Sequence, residues 1–323
     1  MSGCYYPYLY GRQSELYALR NLAEEDRISD NVLPIVEPVS NSKVSIYLLR
    51  SVIETFRKHD LHIGVVINPV EGISTPSLLR LVGLRGNRSV VPVIVLSEDA
   101  SDNLETVKEY KFYNPYIVVA REGRYQLQDG SLPQIQGLRA INFSVLLYEG
   151  GNAVKQDVLG SQMALQGFNN FSRAALTDHF HKLPRNVDYS EHPDEMFSRD
   201  HLFYRNFGDN GFGDYSVIGE ERPSGGFAAY AVVIHWVYFD NNQVLRIHHY
   251  VSDSNEDFRD PGKKFDQAVW KLVNDNKAMT TFAADRFRYY LENGLFPGLA
   301  MIKRLSIMHH LELMNAFLNS AEE

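Results

Sequence analysis

The strongest constraint on this chain is a unit that recurs through its first half: a short apolar strand, a loop, and a helix with apolar residues along one side. Residues 5–8 read as a strand, and a helix starting at Ser14 sets Leu16, Leu19 and Ala23 on one face. Residues 33–39 are a second strand. Ser45 is then placed to cap a helix in which Leu49, Val52, Ile53 and Phe56 fall at i, i+3, i+4 and i+7. Residues 62–68 are a near-continuous apolar run, the pattern of a parallel strand buried on both faces. Thr75-Pro76 reads as N-cap and first helical position. Strands at 90–96 and 116–120 follow, separated by a helix after Ser101 that carries Leu104, Val107 and Tyr110.

The second half continues less regularly, with strands at 143–148 and 174–177, a helix over 154–165 between them, and an eighth strand at 215–219. Strands alternating with helices imply a parallel sheet with right-handed crossovers. Eight of them close an α/β (β/α)8 TIM-barrel-like fold; an open doubly wound sheet is the alternative, because periodicity does not count strands. The reading is a single barrel-like domain over 1–323, with an inserted β-hairpin at 228–251 and C-terminal helices over 263–318. The last helix, 299–318, carries Ile302, Leu305, His309, Leu313 and Ala316 near one face and is expected to pack on the barrel.

Composition narrows the function. Hydrophobic residues make up 44% and charged residues 22% of the chain, which points to a folded globular protein rather than a disordered one. A net charge of −8 argues against nucleic acid as the main partner. The single cysteine, Cys4, excludes an intramolecular disulfide and a cysteine-built zinc site. With no basic-then-apolar leader and no apolar run of about 20 residues, no membrane association is expected and the compartment is read as cytoplasmic. The glycine fingerprints of nucleotide sites, H-E-x-x-H and G-x-S-x-G are absent.

In a parallel barrel the side chains at the carboxyl ends of strands gather at one mouth, where active sites lie. Those positions are Glu37, Asn68, Glu98, Glu149, Asp178 and Asp214. So many carboxylates around one mouth require cations or protonation, so a divalent metal is compatible with them. Glu37, a charge inside the apolar run VEPV, has two readings: a functional carboxylate, or a buried one paired with Arg12. The segment DHFHKLPRNVDY offers Lys182 and Arg185 for an anion and Asp178 with Asp188 for a cation, or else forms a solvated loop of mutually satisfied charges. Gly225-Gly226 permits close backbone approach to an anion.

The longest β signal, 229–239 and 244–251, reads as a hairpin around a two-residue Asn241-Asn242 turn. With Asp240 opposite Gln243, the register sets His235 beside His248, with Ile234, Trp236, Tyr238, Leu245, Ile247 and His249 on the other, buried face. Adjacent imidazoles share a proton or bind a transition metal; the plainer reading is a hydrogen-bonded rib on a half-exposed hairpin.

Taken together and in order, YPYLYGRQSELYAL, LPIVEPV, VVINP, RNVDYS, GFGDYSVIGE, GGFAAYAVVIH and LRIHHYVSDSNEDFRDPGKKF resemble the Beta-protein family of phage and bacterial accessory proteins. The resemblance implies a cytoplasmic barrel-like protein from phage, prophage or mobile-element regions. Its implied role is anti-phage defence or restraint of a neighbouring toxic product, through a protein partner encoded by a neighbouring gene or a small ligand at the barrel mouth. It carries over no catalytic set. The second reading is a hydrolase or lyase acting on a phosphate-bearing substrate. There Glu37, Asp178 and Asp214 hold a metal or act as acid and base, His235 or His248 is the general acid, and Arg12, Asn68, Arg185 and Asp188 bind the ligand.

Overall fold

The computed structural model describes residues 5–69, 73–82, 86–96, 112–121, 142–149, 171–221, 230–275, 277 and 280–320. The helices expected after Ser101 and over 154–165, together with Glu98 and Gly225-Gly226, lie outside these residues. The chain divides into two compact units. The first comprises Met1–Leu16, Asp30–Thr177 and Phe203–Asp214; the second comprises Tyr17–Ser29, Asp178–Leu202 and Tyr215–Glu323.

The first unit is an eight-stranded, all-parallel, barrel-like sheet. Its strands run in the order β1 (Tyr8–Leu9), β2 (Ile35–Val36), β3 (Ile63–Val66), β4 (Val90–Leu96), β5 (Tyr116–Ala120), β6 (Phe143–Glu149), β7 (Ser172–Thr177) and β9 (Gly211–Asp214). The fold class is the TIM-barrel-like α/β one. β3, β4 and β5 are buried at every position, as apolar runs flanked on both sides must be. Tyr5 bridges in parallel both to Val32 and to Phe212, and Tyr6 N–H donates to the Phe212 carbonyl at 2.9 Å, so the two sheet edges meet rather than staying open. The eighth strand is therefore 211–214, not 215–219; Ser216–Ile218 is instead a 3-10 turn. A glycine is needed at that seam, because a Cβ on Gly213 would stand 2.6 Å from the Tyr6 carbonyl oxygen.

Among the helices, α1 (Gln13–Glu24) buries Leu16, Leu19 and Ala23. The next, α2 (Lys43–Lys58), buries Leu49, Val52, Ile53 and Phe56. Its N-cap is Ser42, whose hydroxyl accepts from Ser45 N–H at 3.1 Å, so the cap lies three residues earlier than Ser45. The short α3 (Thr75–Val82) follows β3.

The second unit is built on a three-stranded antiparallel sheet in the order β10 (Val233–Phe239), β11 (Leu245–Val251), β8 (Asp194–Ser198). The sequence reading contains the hairpin but not β8. The turn has three residues, not two: Asp240 pairs with Val244, Gln243 takes φ +60°, and the Asp240 carboxylate accepts from Asn242 and Val244 N–H at 2.8 and 2.9 Å. That extra residue shifts the register by one, so His235 faces His249 and Trp236 faces His248. Around the sheet stand α4 (Asp200–Phe203), α5 (Pro261–Val273), α6 (Phe282–Glu292) and α7 (Leu299–Ser320). From Leu305 to Asn315 α7 is buried on every side, whereas Ala316, expected on its apolar face, is exposed. His309 holds it to the sheet: Nε2 donates to the Val237 carbonyl at 2.7 Å and the ring stacks on Trp236 with centroids 3.5 Å apart. Among the described residues no helix is long and apolar enough to cross a membrane.

Gly213→Ala is expected to destabilise the barrel by about 1–3 kcal/mol, because one backbone must move off the other. Chemical denaturation of the two proteins reads the difference.

Candidate functional site

Two clusters compete for the role of working site. The first lies at the carboxyl ends of the barrel strands. Arg121, the residue after β5, places Nε 3.1 Å from Glu149 Oε2 and Nη1 3.6 Å from Glu37 Oε2. Tyr8 donates its hydroxyl to the same Glu37 oxygen at 2.8 Å, and the Arg121 guanidinium lies over the Tyr8 ring. A guanidinium beside Glu37 thus comes from Arg121, which the sequence reading did not name. The Arg12 backbone N–H sits 3.3 Å from the Glu15 carboxylate. Burial, then the charge of Glu37, pushes the Tyr8 hydroxyl well above its ordinary pKa. The side chains of Arg121, Glu37 and Glu149 are 1%, 0% and 7% exposed, so this triad is packed into the fold rather than offered to a ligand.

The other barrel candidates are similarly committed. Asn68 stands in for a strand residue, donating to the Val95 carbonyl at 2.7 Å and accepting from Val95 N–H at 3.0 Å. Asp214 accepts from the Tyr5 hydroxyl at 2.8 Å. In the second unit, Asp178 accepts the backbone N–H groups of Phe180 and Glu220 at 3.0 and 2.8 Å; burial raises its pKa against those two bonds. Arg185 and Asp188 form an exposed ion pair at 2.6 Å that closes a short 3-10 turn, the self-satisfied loop anticipated as one reading. Among the described residues no group of three or more His, Cys, Asp or Glu side chains is placed to hold a metal ion.

The second cluster is on the three-stranded sheet. His235 Nδ1 and His249 Nδ1 are 2.8 Å apart, and His249 Nε2 lies 3.4 Å from Glu195 Oε1, a long contact. The carboxylate only accepts, so His249 carries its proton on Nε2 and its Nδ1 must accept. His235 then donates from Nδ1, and its Nε2 keeps a lone pair. Tyr189 and Phe180 fix the ring planes: the Tyr189 centroid is 4.7 Å from His235 and 4.6 Å from His249, and Phe180 is 4.8 Å from His235. Burial first, with His249 and Lys303 adding to it, holds the His235 pKa well below 6.5. Burial also lowers His249 to about 4 although Glu195 opposes it. Both rings are therefore neutral at pH 7.

His235 lines a cleft of about 830 Å³ whose other walls include Phe180, Val187, Tyr189, Val233 and Ile302, with Lys182, Arg185 and Lys303 among them. His248, the expected partner of His235, instead donates through Nδ1 to Asp194 at 2.9 Å. Asp194 also accepts from Tyr238 at 2.8 Å and Arg246 at 2.7 Å. Burial opposes its ionisation, but these three bonds outweigh that and lower its pKa. Sequence reasoning missed Glu195 and Arg121. The strand-end rule that selects Glu149 also selects Arg121. Glu195 carries no comparable signal, because the charged pair opening DEMFS hides a strand.

No protein-family model matches the chain, and no curated protein matches it.

Two outcomes follow from this geometry. Arg121→Met is expected to cost about 3–5 kcal/mol in urea unfolding, since it leaves two carboxylates buried without their cation. The pH dependence comes from the second unit. His249 is lowered to about 4, and burial lowers His309 and His310 to about 3, all from 6.5. The unfolded chain therefore binds protons below pH 6.5 that the fold refuses, so stability is full above 6.5 and is lost progressively as pH falls towards 4 and 3. Denaturation midpoints measured across that range should fall with pH, and less steeply in His249→Gln.

Proposed function

We propose that the chain is an acid–base enzyme, a hydrolase or lyase, that works in the second unit on a small anionic substrate with an apolar body, such as a phosphate ester. His235 is the general base. The observation that carries this reading is the line Glu195–His249–His235, which ends in an unprotonated Nε2 on a cleft wall. A base held neutral by burial is ready at pH 7 to take a proton from bound water or from the substrate. As it does so, its Nδ1–H is already directed at His249 Nδ1, and the nearby Glu195 charge favours the imidazolium. The apolar walls exclude water around the reacting atoms, while Lys182, Arg185 and Lys303 favour an anion. Lys182 and Arg185 are engaged by Glu221 and Asp188 at 2.8 and 2.6 Å, so a substrate anion would compete with exposed carboxylates for them.

A second reading follows the sequence resemblance: an accessory role in anti-phage defence or toxin restraint, with a protein partner. The observation in its favour is the exposed aromatic pair Tyr230 and Phe258, 52% and 58% accessible, with Tyr230 on the cleft wall.

Assays of phosphate mono- and diesters and phosphorylated sugars, paired with thermal melts, test the first reading; a ligand at about 100 times its Kd adds about 2.7 kcal/mol. Turnover should fall about 10²–10⁴-fold in His235→Gln with the melting temperature preserved. No turnover and no thermal shift with any of them, alongside biological function that survives His235→Gln and fails in Tyr230→Asp, would establish the partner reading instead.

A further inference from the structure

The sheet borders a second cleft of about 840 Å³, lined by His248, Asn255, Trp270, Lys271, Asn274 and Asp275 among others. Its chemistry differs from that of the His235 cleft. Trp270 is 60% exposed, an unusual place for the largest apolar side chain, while Trp236, the only other tryptophan, is fully buried. Trp270 and Asn274 lie four residues apart at the C-terminal end of α5 and so share a side of the helix. The Asn274 amide donates one N–H to the Trp270 carbonyl at 2.8 Å, which leaves its oxygen and a second N–H for a ligand. His248, fixed through Nδ1 by Asp194, has its Nε2 left for a ligand hydroxyl.

The charges in this cleft are already matched. Lys271 is bound to Asp253 and to the Val251 carbonyl, both at 2.7 Å, and Asp275 to Lys277 at 3.0 Å. An anion would meet two carboxylates there, and a cation would meet Lys271. What remains is an exposed aromatic face beside uncharged donors and acceptors, the complement of a ring with apolar C–H faces and hydroxyls at its edge.

We propose that this second cleft binds a neutral sugar, its ring laid on Trp270 and its hydroxyls hydrogen-bonded by His248 Nε2 and by the amides of Asn274 and Asn255. Asn255 borders both clefts and His249 lines this one too, whereas Trp270, His248 and Asn274 line this one and not the His235 cleft; sugar binding here does not depend on the activity proposed for His235.

Because Trp236 is buried, changes in tryptophan emission on ligand addition report on Trp270. Titration of the full chain with glucose, galactose, N-acetylglucosamine and short glucose and N-acetylglucosamine oligomers, at millimolar concentrations, should shift the emission to the blue and protect it from acrylamide quenching. Trp270→Ala should lose all binding by calorimetry, and Asn274→Ala and His248→Ala most of it, with unchanged melting temperatures; His235→Gln should retain it. Asn274→Ala, which keeps Trp270, tests the site should Trp270→Ala fail to fold. No response to any of these sugars overturns the proposal. So does a response to inorganic phosphate or to nucleosides alone, or sugar binding that survives Trp270→Ala.

Discussion

Gln243, held at φ +60° in the hairpin turn, carries the constraint on which the second unit is built. Side chains on a strand alternate with a period of two, so one residue more or less in a turn decides which of them meet. An L-residue in the left-handed region costs about 1–2 kcal/mol. Here the Asp240 carboxylate helps hold the turn by accepting two backbone N–H groups inside it. The result is the register that brings His235 against His249, and through it within reach of Glu195. Tyr189 and Phe180 then lock rings that the backbone has already placed.

The barrel depends on a different device. Burying Arg121 between Glu37 and Glu149 draws together the ends of β2, β5 and β6, with Tyr8 of β1 completing the set. Each charge is expensive to desolvate, and their mutual attraction repays this only in good geometry. Such a cluster is better at specifying which strands come together than at adding stability. It also changes the meaning of the mouth: charges that look like an active site in one dimension are, in three, the fastening of the strand ends.

The fold was legible because its determinants are local. The apolar runs of β3, β4 and β5 show their own burial, and Leu49, Val52, Ile53 and Phe56 show their own helix face. The eighth strand was misplaced by a few residues because Gly211-Phe212-Gly213-Asp214 has almost no apolar signature; glycine is there for a backbone contact with Tyr6 that only the closed sheet creates. The site was half legible for the same reason. A histidine pair on the hairpin could be inferred, but its register depended on whether Gln243 would take a left-handed conformation, which residue type alone does not settle. Glu195 and Arg121 act through partners 54 and 84 residues away, and no periodicity links such positions.

Asp194 and Glu195 are neighbours on β8 and therefore point to opposite faces, one towards His248 and the other towards His249. Two surfaces of unlike chemistry thus take their orienting carboxylates from a single dipeptide. Inserting or deleting one residue in β8 would disturb both at once. The two cannot drift apart as two loops could, because the strand that orients one is the strand that orients the other.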